Sequence, residues 1–238
     1  MPFPPQRIVC LTEETTETLY LLGEERRIVG ISGYTVRPAR ARREKPRVSA
    51  FLSAKTDRIL DLRPDLVLGF SDLQRDIVSE LIKRGHTVVV FNQRSVEDIL
   101  SMILTLAGMV GCQHRGEALV TELRLGLDRI RSRSAAAPPL RVFFEEWDEP
   151  LISGIRWVEE LVEIAGGVPI FPELRTAGLA RDRIVKPEDV IARNPDVIVA
   201  SWCGKPVRID EILTRDGWED VDAVKNRHVY RSEEHTSE

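Results

Sequence analysis

Cysteine is scarce in this chain: Cys10, Cys112 and Cys203 are an odd number, widely spaced, with no Cys-x-x-Cys pair. That excludes a disulfide framework and a cysteine zinc site. The four histidines, His86, His114, His228 and His235, share no i, i+4 spacing and read as surface residues, which disfavours histidine ligation of a metal. No apolar run approaches the ~18 residues that cross a bilayer. The start, Met1-Pro2-Phe3-Pro4-Pro5-Gln6, shows no basic segment followed by an apolar one, so no signal peptide is read. As written the chain reads as cytoplasmic; a mis-set start site would instead make it periplasmic or cell-surface. Cys10 lies inside an apolar strand, which argues against a lipid-bearing N-terminal cysteine. G-x-G-x-x-G, G-x-x-x-x-G-K-[ST] and G-x-S-x-G are all missing, so nucleotide-cofactor enzymes and α/β hydrolases lack their usual signals. A net charge of −4 gives no reason to expect nucleic acid or an anionic membrane as partner. The arginine-rich run from Arg37 through Arg40 and Arg42 to Arg43 is the local exception, and its plainer reading is a solvated loop.

What is present is a pattern that occurs twice, about 131 residues apart. The stretch from Lys55 to Leu68 is echoed from Lys186 to Val199, each copy a short helix with an acidic start, then Pro-Asp, then an apolar strand. Proline just past a helix cannot continue it, and the apolar run after Asp reads as a buried strand. The duplication implies two similar lobes with a ligand cleft at their boundary. At 238 residues, 42% of them apolar, the chain is long enough for two such cores.

The rest of the chain fits that division. Residues 8–11 form an apolar strand, Thr12 is placed to cap a helix with Glu13, Glu14 and Glu17 near its start, and Leu19, Leu21 and Leu22 give its apolar face. Strands follow at 28–31, 66–70 and 87–91, with a helix at 72–83 whose Leu73, Ile77 and Leu81 make a stripe. Residues 95–133 carry no strand signal; Leu119, Leu123, Leu127 and Ile130 mark a second long helix there. Leu140 to Phe144 opens the second lobe, followed by a helix with Trp157, Leu161 and Ile164. The expected organisation is an N-terminal α/β lobe at 7–94, connecting helices at 95–139, a C-terminal α/β lobe at 140–230, and a wholly polar, non-native tail at 231–238.

The residues Arg7 to Leu11 with the Thr-Glu pairs after them, Val29-Gly30-Ile31-Ser32, Arg63-Pro64-Asp65-Leu66-Val67, Ile152-Ser153-Gly154 and Arg193-Asn194-Pro195-Asp196 together resemble a known group. It is the substrate-binding proteins of ATP-driven (ABC) importers, in the helical-backbone type that carries cobalamin, haem or iron chelates. The resemblance covers nearly all of residues 7–230. It implies the class III periplasmic-binding-protein fold: two Rossmann-like α/β lobes joined by long backbone helices. It also implies a further C-terminal helix, missing here, whose absence leaves an apolar patch on the second lobe. A small-molecule ligand, cobalamin or a related metal chelate, is implied, with importer membrane subunits as partners, a monomeric state, no resident cofactor and no catalysis. Aromatic ligand contacts carry over onto Phe51 and Phe70, with Ser71 beside it. A third such position is Arg37 here, with Tyr34 three residues earlier, and a fourth falls near Asp182 and is not aromatic. Docking acids carry over onto Asp57 and Glu188; the plain alternative is that acids at helix starts stabilise the helix dipole.

Three further groups come from the residues themselves. Glu145, Glu146 and Trp147 follow the first strand of the second lobe, where open α/β sheets bind ligands. They read either as a wall of the ligand site or as a solvated acidic loop. Trp202 and Cys203 follow the strand at 197–200 and read as lining of the ligand site. A nucleophilic Cys203 beside Lys205, or acid-base use of the Glu145/Glu146 pair, would make the chain an α/β enzyme, but no partner base can be placed. Arg156 and Trp157 begin a helix, placing a guanidinium for an anionic ligand group, with core packing the alternative reading of Trp157. A cytosolic corrinoid or metal-chelate carrier or sensor without a transport role is the remaining alternative.

Overall fold

A computed structural model describes residues 3–50, 56–202 and 205–232. It divides into two compact units, residues 3–93 with 97–123, and residues 94–96 with 124–232.

The first unit carries a five-stranded, wholly parallel sheet of order β3-β2-β1-β4-β5. Its elements in chain order are β1 (Ile8–Cys10), α1 (Glu13–Leu21), β2 (Ile28–Ser32), α2 (Ala41–Glu44), β3 (Arg47–Ser49), α3 (Thr56–Asp61), β4 (Leu66–Phe70), α4 (Arg75–Lys83) and β5 (Val88–Phe91). Strands buried on both faces read as unbroken apolar runs rather than alternating ones, and β1 and β4 do so. Val9, Leu11 and Val67 pack on one face against Ile59 of α3 and Ile77 and Leu81 of α4. The short β3 has no such run, which is why the sequence does not announce it. Thr12 precedes α1 as expected but makes no side-chain cap; its carbonyl instead accepts the hydroxyls of Thr15 (3.3 Å) and Thr16 (3.1 Å). Leu73 and Leu21, read as apolar-face residues, are exposed.

Two helices, α5 (Val96–Met109) and α6 (Gln113–Ser134), follow. The stripe expected on α6 is only partly covered: Leu123 and Ile130 are exposed, and among the described residues of that helix only Gly116 and Val120 are buried.

The second unit has β6 (Leu140–Asp148), β7 (Leu151–Ser153), α7 (Arg156–Ile164), β8 (Gly167–Pro169), α8 (Pro187–Arg193), β9 (Val197–Ala200), α9 (Ile209–Leu213), α10 (Asp222–Lys225) and β10 (Val229–Arg231). β8, β6, β9 and β10 are parallel, while β7 folds back on β6 as an antiparallel hairpin. The polar tail was set to start at Arg231, but Arg231 completes β10 opposite Ala200, and the Ser232 N–H bonds the Ala200 carbonyl at 2.9 Å. One sheet face packs Phe143, Ile198 and Val229 with Trp202, Trp218 and residues of α8, α9 and α10. The other face leaves an apolar groove of about 260 Å3 lined by Leu140, Val142, Val162, Val197 and Val199.

The repeated sequence has a physical cause visible in both units. Asp65 accepts the backbone N–H of Arg7 at 3.0 Å and returns its own N–H to the Arg7 carbonyl at 2.9 Å. Asp196 does the same with Arg141, at 2.7 and 2.9 Å. The arginine side chains reach back to the end of the preceding helix, Arg7 to the Leu62 carbonyl (2.6 Å) and Arg141 to that of Arg193 (3.4 Å). Each Pro-Asp pair thus clasps the second repeat strand to the first strand of its sheet. The residues just before the prolines, Arg63 (φ 46°) and Asn194 (φ 42°), take the left-handed conformation that turns the chain from helix to strand.

Candidate functional site

In a parallel α/β sheet the loops leaving the carboxyl ends of the strands are where ligands bind, because helix starts and free loop backbone gather there. In the first unit that edge carries the loops after β2 and β4. Tyr34 is 57% exposed in the first of them, and Arg37 is exposed nearby. The loop is held from below: the Glu13 carboxylate at the start of α1 accepts the backbone N–H groups of Val36 (3.1 Å) and Arg37 (3.0 Å), and Thr35 is fully buried. Phe70 ends β4 half-buried, its N–H bonded to the Gln74 side-chain oxygen at 2.9 Å. Ser71 follows in a strained backbone conformation (φ 53°), buried, its hydroxyl accepting the Leu73 N–H at 3.2 Å. Ser71 is therefore a turn residue that aims Phe70. Phe51 lies outside the described residues.

In the second unit the acidic cluster is not a loop. β6 runs on through Asp148 and turns tightly at Glu149-Pro150 into β7, so its side chains alternate between faces. Phe143, Glu145 and Trp147 then share the core side. Glu145 is fully buried, with its carboxylate accepting both Arg215 guanidinium nitrogens (2.9 and 3.0 Å) and the Trp202 indole N–H (2.9 Å). Reading Glu145 and Trp202 as ligand contacts is corrected here: Trp202 is 1% exposed, inside the core, and Glu145 is the counter-charge of Arg215. Glu146, on the opposite face, is held by the buried Arg183 through a two-point contact of 2.7 and 2.8 Å. Arg183 also donates to the Ser153 carbonyl. Both acids are thus structural ion pairs, which removes the acid-base pair an enzyme reading needs.

Trp147 remains half-buried at the edge, its indole N–H bonded to the Glu149 carbonyl at 2.9 Å. The Lys205 ammonium sits 4.5 Å from the Trp147 ring centre and 4.9 Å from that of Trp202, held by both oxygens of Asp148 at 2.6 and 2.7 Å. Sequence reading connected Lys205 only with a thiol; the structure makes it the wedge that fixes Trp147. Arg156 is exposed and paired with Glu160 at 2.8 Å, and Trp157 is half-buried beside it in α7. Cys203 lies outside the described residues. Of the other thiols, burial pushes Cys10 up to about 12 and also raises Cys112, so neither is poised as a nucleophile.

Behind this edge Glu159 of α7 lines a cavity of about 10 Å3, room for one water, with Ser153, Gly154 and Phe171. It is 3% exposed, one of its carboxylate oxygens has no partner, and burial raises its pKa to about 7. Asp57 and Glu188 stand in the first turns of α3 and α8. Both are exposed, Asp57 with only a 3.6 Å approach from Arg84. Among the described residues no group of three or more His, Cys, Asp or Glu could hold a metal ion, and no helix is long and apolar enough to cross a membrane.

Several solved structures share this architecture. The periplasmic vitamin B12-binding protein BtuF of Vibrio cholerae matches 97% of this chain and 88% of its own, with a TM-score of 0.76 and 25% identity. A possible iron-binding periplasmic protein of Staphylococcus epidermidis (TM-score 0.81, 22% identity, 96% and 90% coverage) shares the fold. So does the haem-binding protein RhuT of Roseiflexus (TM-score 0.81, 22% identity, 96% and 89% coverage). The fold is thus the two-lobed α/β form of class III binding proteins, as the sequence led one to expect. In sequence, vitamin B12-binding proteins of Vibrio cholerae are 27% identical over 204 residues, covering 84% of this chain and 72% of the relative. Those of Yersinia pestis are 28% identical over 211 residues, covering 87% and 72%. The family model described as periplasmic binding protein matches residues 8–236, and the chain belongs to that family.

Proposed function

We propose that this chain is the substrate-binding component of an ABC importer and that its ligand is cobalamin or a related corrinoid or metal chelate. The observation that carries this reading is its alignment, across 84% of its length, with proteins that bind vitamin B12. The structure supports it with Tyr34, exposed, and Phe70 and Trp147, half-buried, near the carboxyl edges of two similar sheets, each fixed by a bond to its backbone or polar edge. Flat, weakly charged ligands of this kind are held by stacking on such rings. Arg37, near Tyr34 in its loop, and Arg156, at the start of α7, are the cations for the ligand's polar groups. The protein acts outside the cytoplasm and as a binder rather than an enzyme, as its family does; Glu145 and Glu146 are held by Arg215 and Arg183. Asp57 and Glu188 are the docking acids for the importer's membrane subunits.

The test is a titration with cyanocobalamin followed by heat and by tryptophan fluorescence. All four tryptophans lie in the second unit, so fluorescence reports that unit while heat reports the whole protein. Saturable binding in the micromolar range or tighter is expected, weakened about tenfold by Tyr34→Ala, Phe70→Ala or Trp147→Ala, the loss of one stacking contact of roughly 1.4 kcal/mol. Absence of binding sinks cobalamin, and haem and ferric chelates become the next ligands to titrate.

A further inference from the structure

Most arginines of the second unit are matched to an acid, but one segment of the first unit is built the other way. Between Arg37 and Arg47 lie six cations, Arg37, Arg40, Arg42, Arg43, Lys45 and Arg47, against one acid, Glu44. That acid, exposed itself, accepts the Tyr20 hydroxyl at 2.7 Å. Arg40 is used internally as well, stacked 4.9 Å over the Tyr20 ring and 3.5 Å from Glu25. These contacts pin α2 to α1 and pair Arg40 with Glu25. What remains is Arg37, Arg42, Arg43 and Arg47, all exposed, with Lys45 half-buried beside them, and among the described residues none of them forms an ion pair. A solvated loop at a sheet edge needs one or two charges to block edge-to-edge pairing. Five unpaired cations, with Tyr34 exposed at one end, exceed that need.

We propose that this segment is an electrostatic docking surface for the phosphate headgroups of an anionic lipid bilayer. Guanidinium groups match phosphate oxygens two at a time and give up their hydration more readily than ammonium groups, which suits four arginines over lysines. A local excess of positive charge on a chain of net charge −4 orients the molecule, drawing this edge toward the membrane and turning the rest away. Arg42, Arg43, Lys45 and Arg47, which carry the proposal, are not among the proposed ligand residues, so it stands whether or not cobalamin binds, although Arg37 and Tyr34 border both.

The experiment is co-sedimentation of the full chain with vesicles of phosphatidylcholine alone or with about one third phosphatidylglycerol, at low and at high salt. Each cation near such a surface contributes roughly fivefold to partitioning at low salt. Arg42→Gln/Arg43→Gln should therefore lower binding to anionic vesicles about 25-fold, with melting temperature unchanged. High salt should abolish the difference between the two vesicle types. Arg129→Gln/Arg133→Gln, on the exposed side of α6, should leave partitioning as in the parent. Equal sedimentation with both vesicle types overturns the proposal, as does an equal loss from the α6 variant. Displacement by millimolar inorganic phosphate at constant ionic strength, or tight binding of a single-stranded oligonucleotide without vesicle binding, also overturns it.

Discussion

Replacing Arg215 with methionine separates a structural role of Glu145 from a ligand-binding one. Glu145 is fully buried on the core side of β6, and three of the hydrogen bonds to its carboxylate come from Arg215 and Trp202. Methionine fills much of the arginine's volume but leaves a buried carboxylate with the Trp202 indole alone. Breaking one side of a buried ion pair costs about 3–5 kcal/mol, a large share of the roughly 5–15 kcal/mol that keeps a domain folded. Glu145→Gln should cost less, about 1–3 kcal/mol. It strands a guanidinium that is partly open to water and still stacked 4.3 Å over Trp218. The double variant should recover about 2 kcal/mol relative to the sum, because no lone charge remains. Urea unfolding followed by tryptophan fluorescence is the assay, since Trp202 and Trp218 lie in this cluster. The midpoint should fall at unchanged slope. A loss under about 1 kcal/mol for Arg215→Met, together with weaker ligand binding, would show that the carboxylate serves the ligand after all.

Other expectations follow from the same structure. Burial raises Glu159 to about 7 from an ordinary 4.5, with Arg175 and Arg183 opposing and Glu163 and Glu173 adding to the rise. The folded state therefore holds a proton that the unfolded state has released between those two values, and this group's contribution falls as pH climbs through that window. Glu159→Gln should remove that slope and raise stability at pH 8 by up to roughly 3 kcal/mol, measured as urea midpoints across pH. Asp196 is shifted the other way, its carboxyl held below the usual range chiefly by the Arg141 side chain. Its contribution is present at neutral pH and lost as pH falls through the carboxylate range, so Asp196→Asn should lower the melting temperature at pH 7 and much less at pH 3. Arg63, left-handed at φ 46° ahead of Pro64, should become easier to accommodate as asparagine, gaining about 0.5–1 kcal/mol in thermal unfolding.

The repeat was legible because its cause is local: helix, Pro-Asp and apolar strand occupy consecutive residues, and both copies fold alike as α3 with β4 and α8 with β9. The parallel sheets followed from apolar runs punctuated by helices. The short β3 and β8 were not visible, since three residues give no period and β8 is spelled Gly-Val-Pro. At the candidate site, Tyr34 lies in the loop after β2, Phe70 ends β4, and Trp147 lies within β6 rather than in the loop its position suggested. Trp202 and Glu145 do not, because β6 continues past Phe144 and alternation turns Glu145 inward. The cation that makes this tolerable, Arg215, is 70 residues away in sequence, and pairings at that range leave no local mark. A glutamate in phase with Phe143 was the available hint that a buried counter-charge had to exist.

The two Arg–Asp clasps also bear on how the protein is made. Asp65 is translated 58 residues after Arg7, and Asp196 55 residues after Arg141. At roughly 5–20 residues per second, the first strand of each sheet waits about 3–12 s for the residue that locks it to its neighbour. During that interval one edge of β1 and one edge of β6 stay unpaired, while β2 and β7, translated earlier, pair with their other edges. The nearly equal delays give each half of the polypeptide the same period of vulnerability, and codon choice between the arginine and the aspartate sets its length.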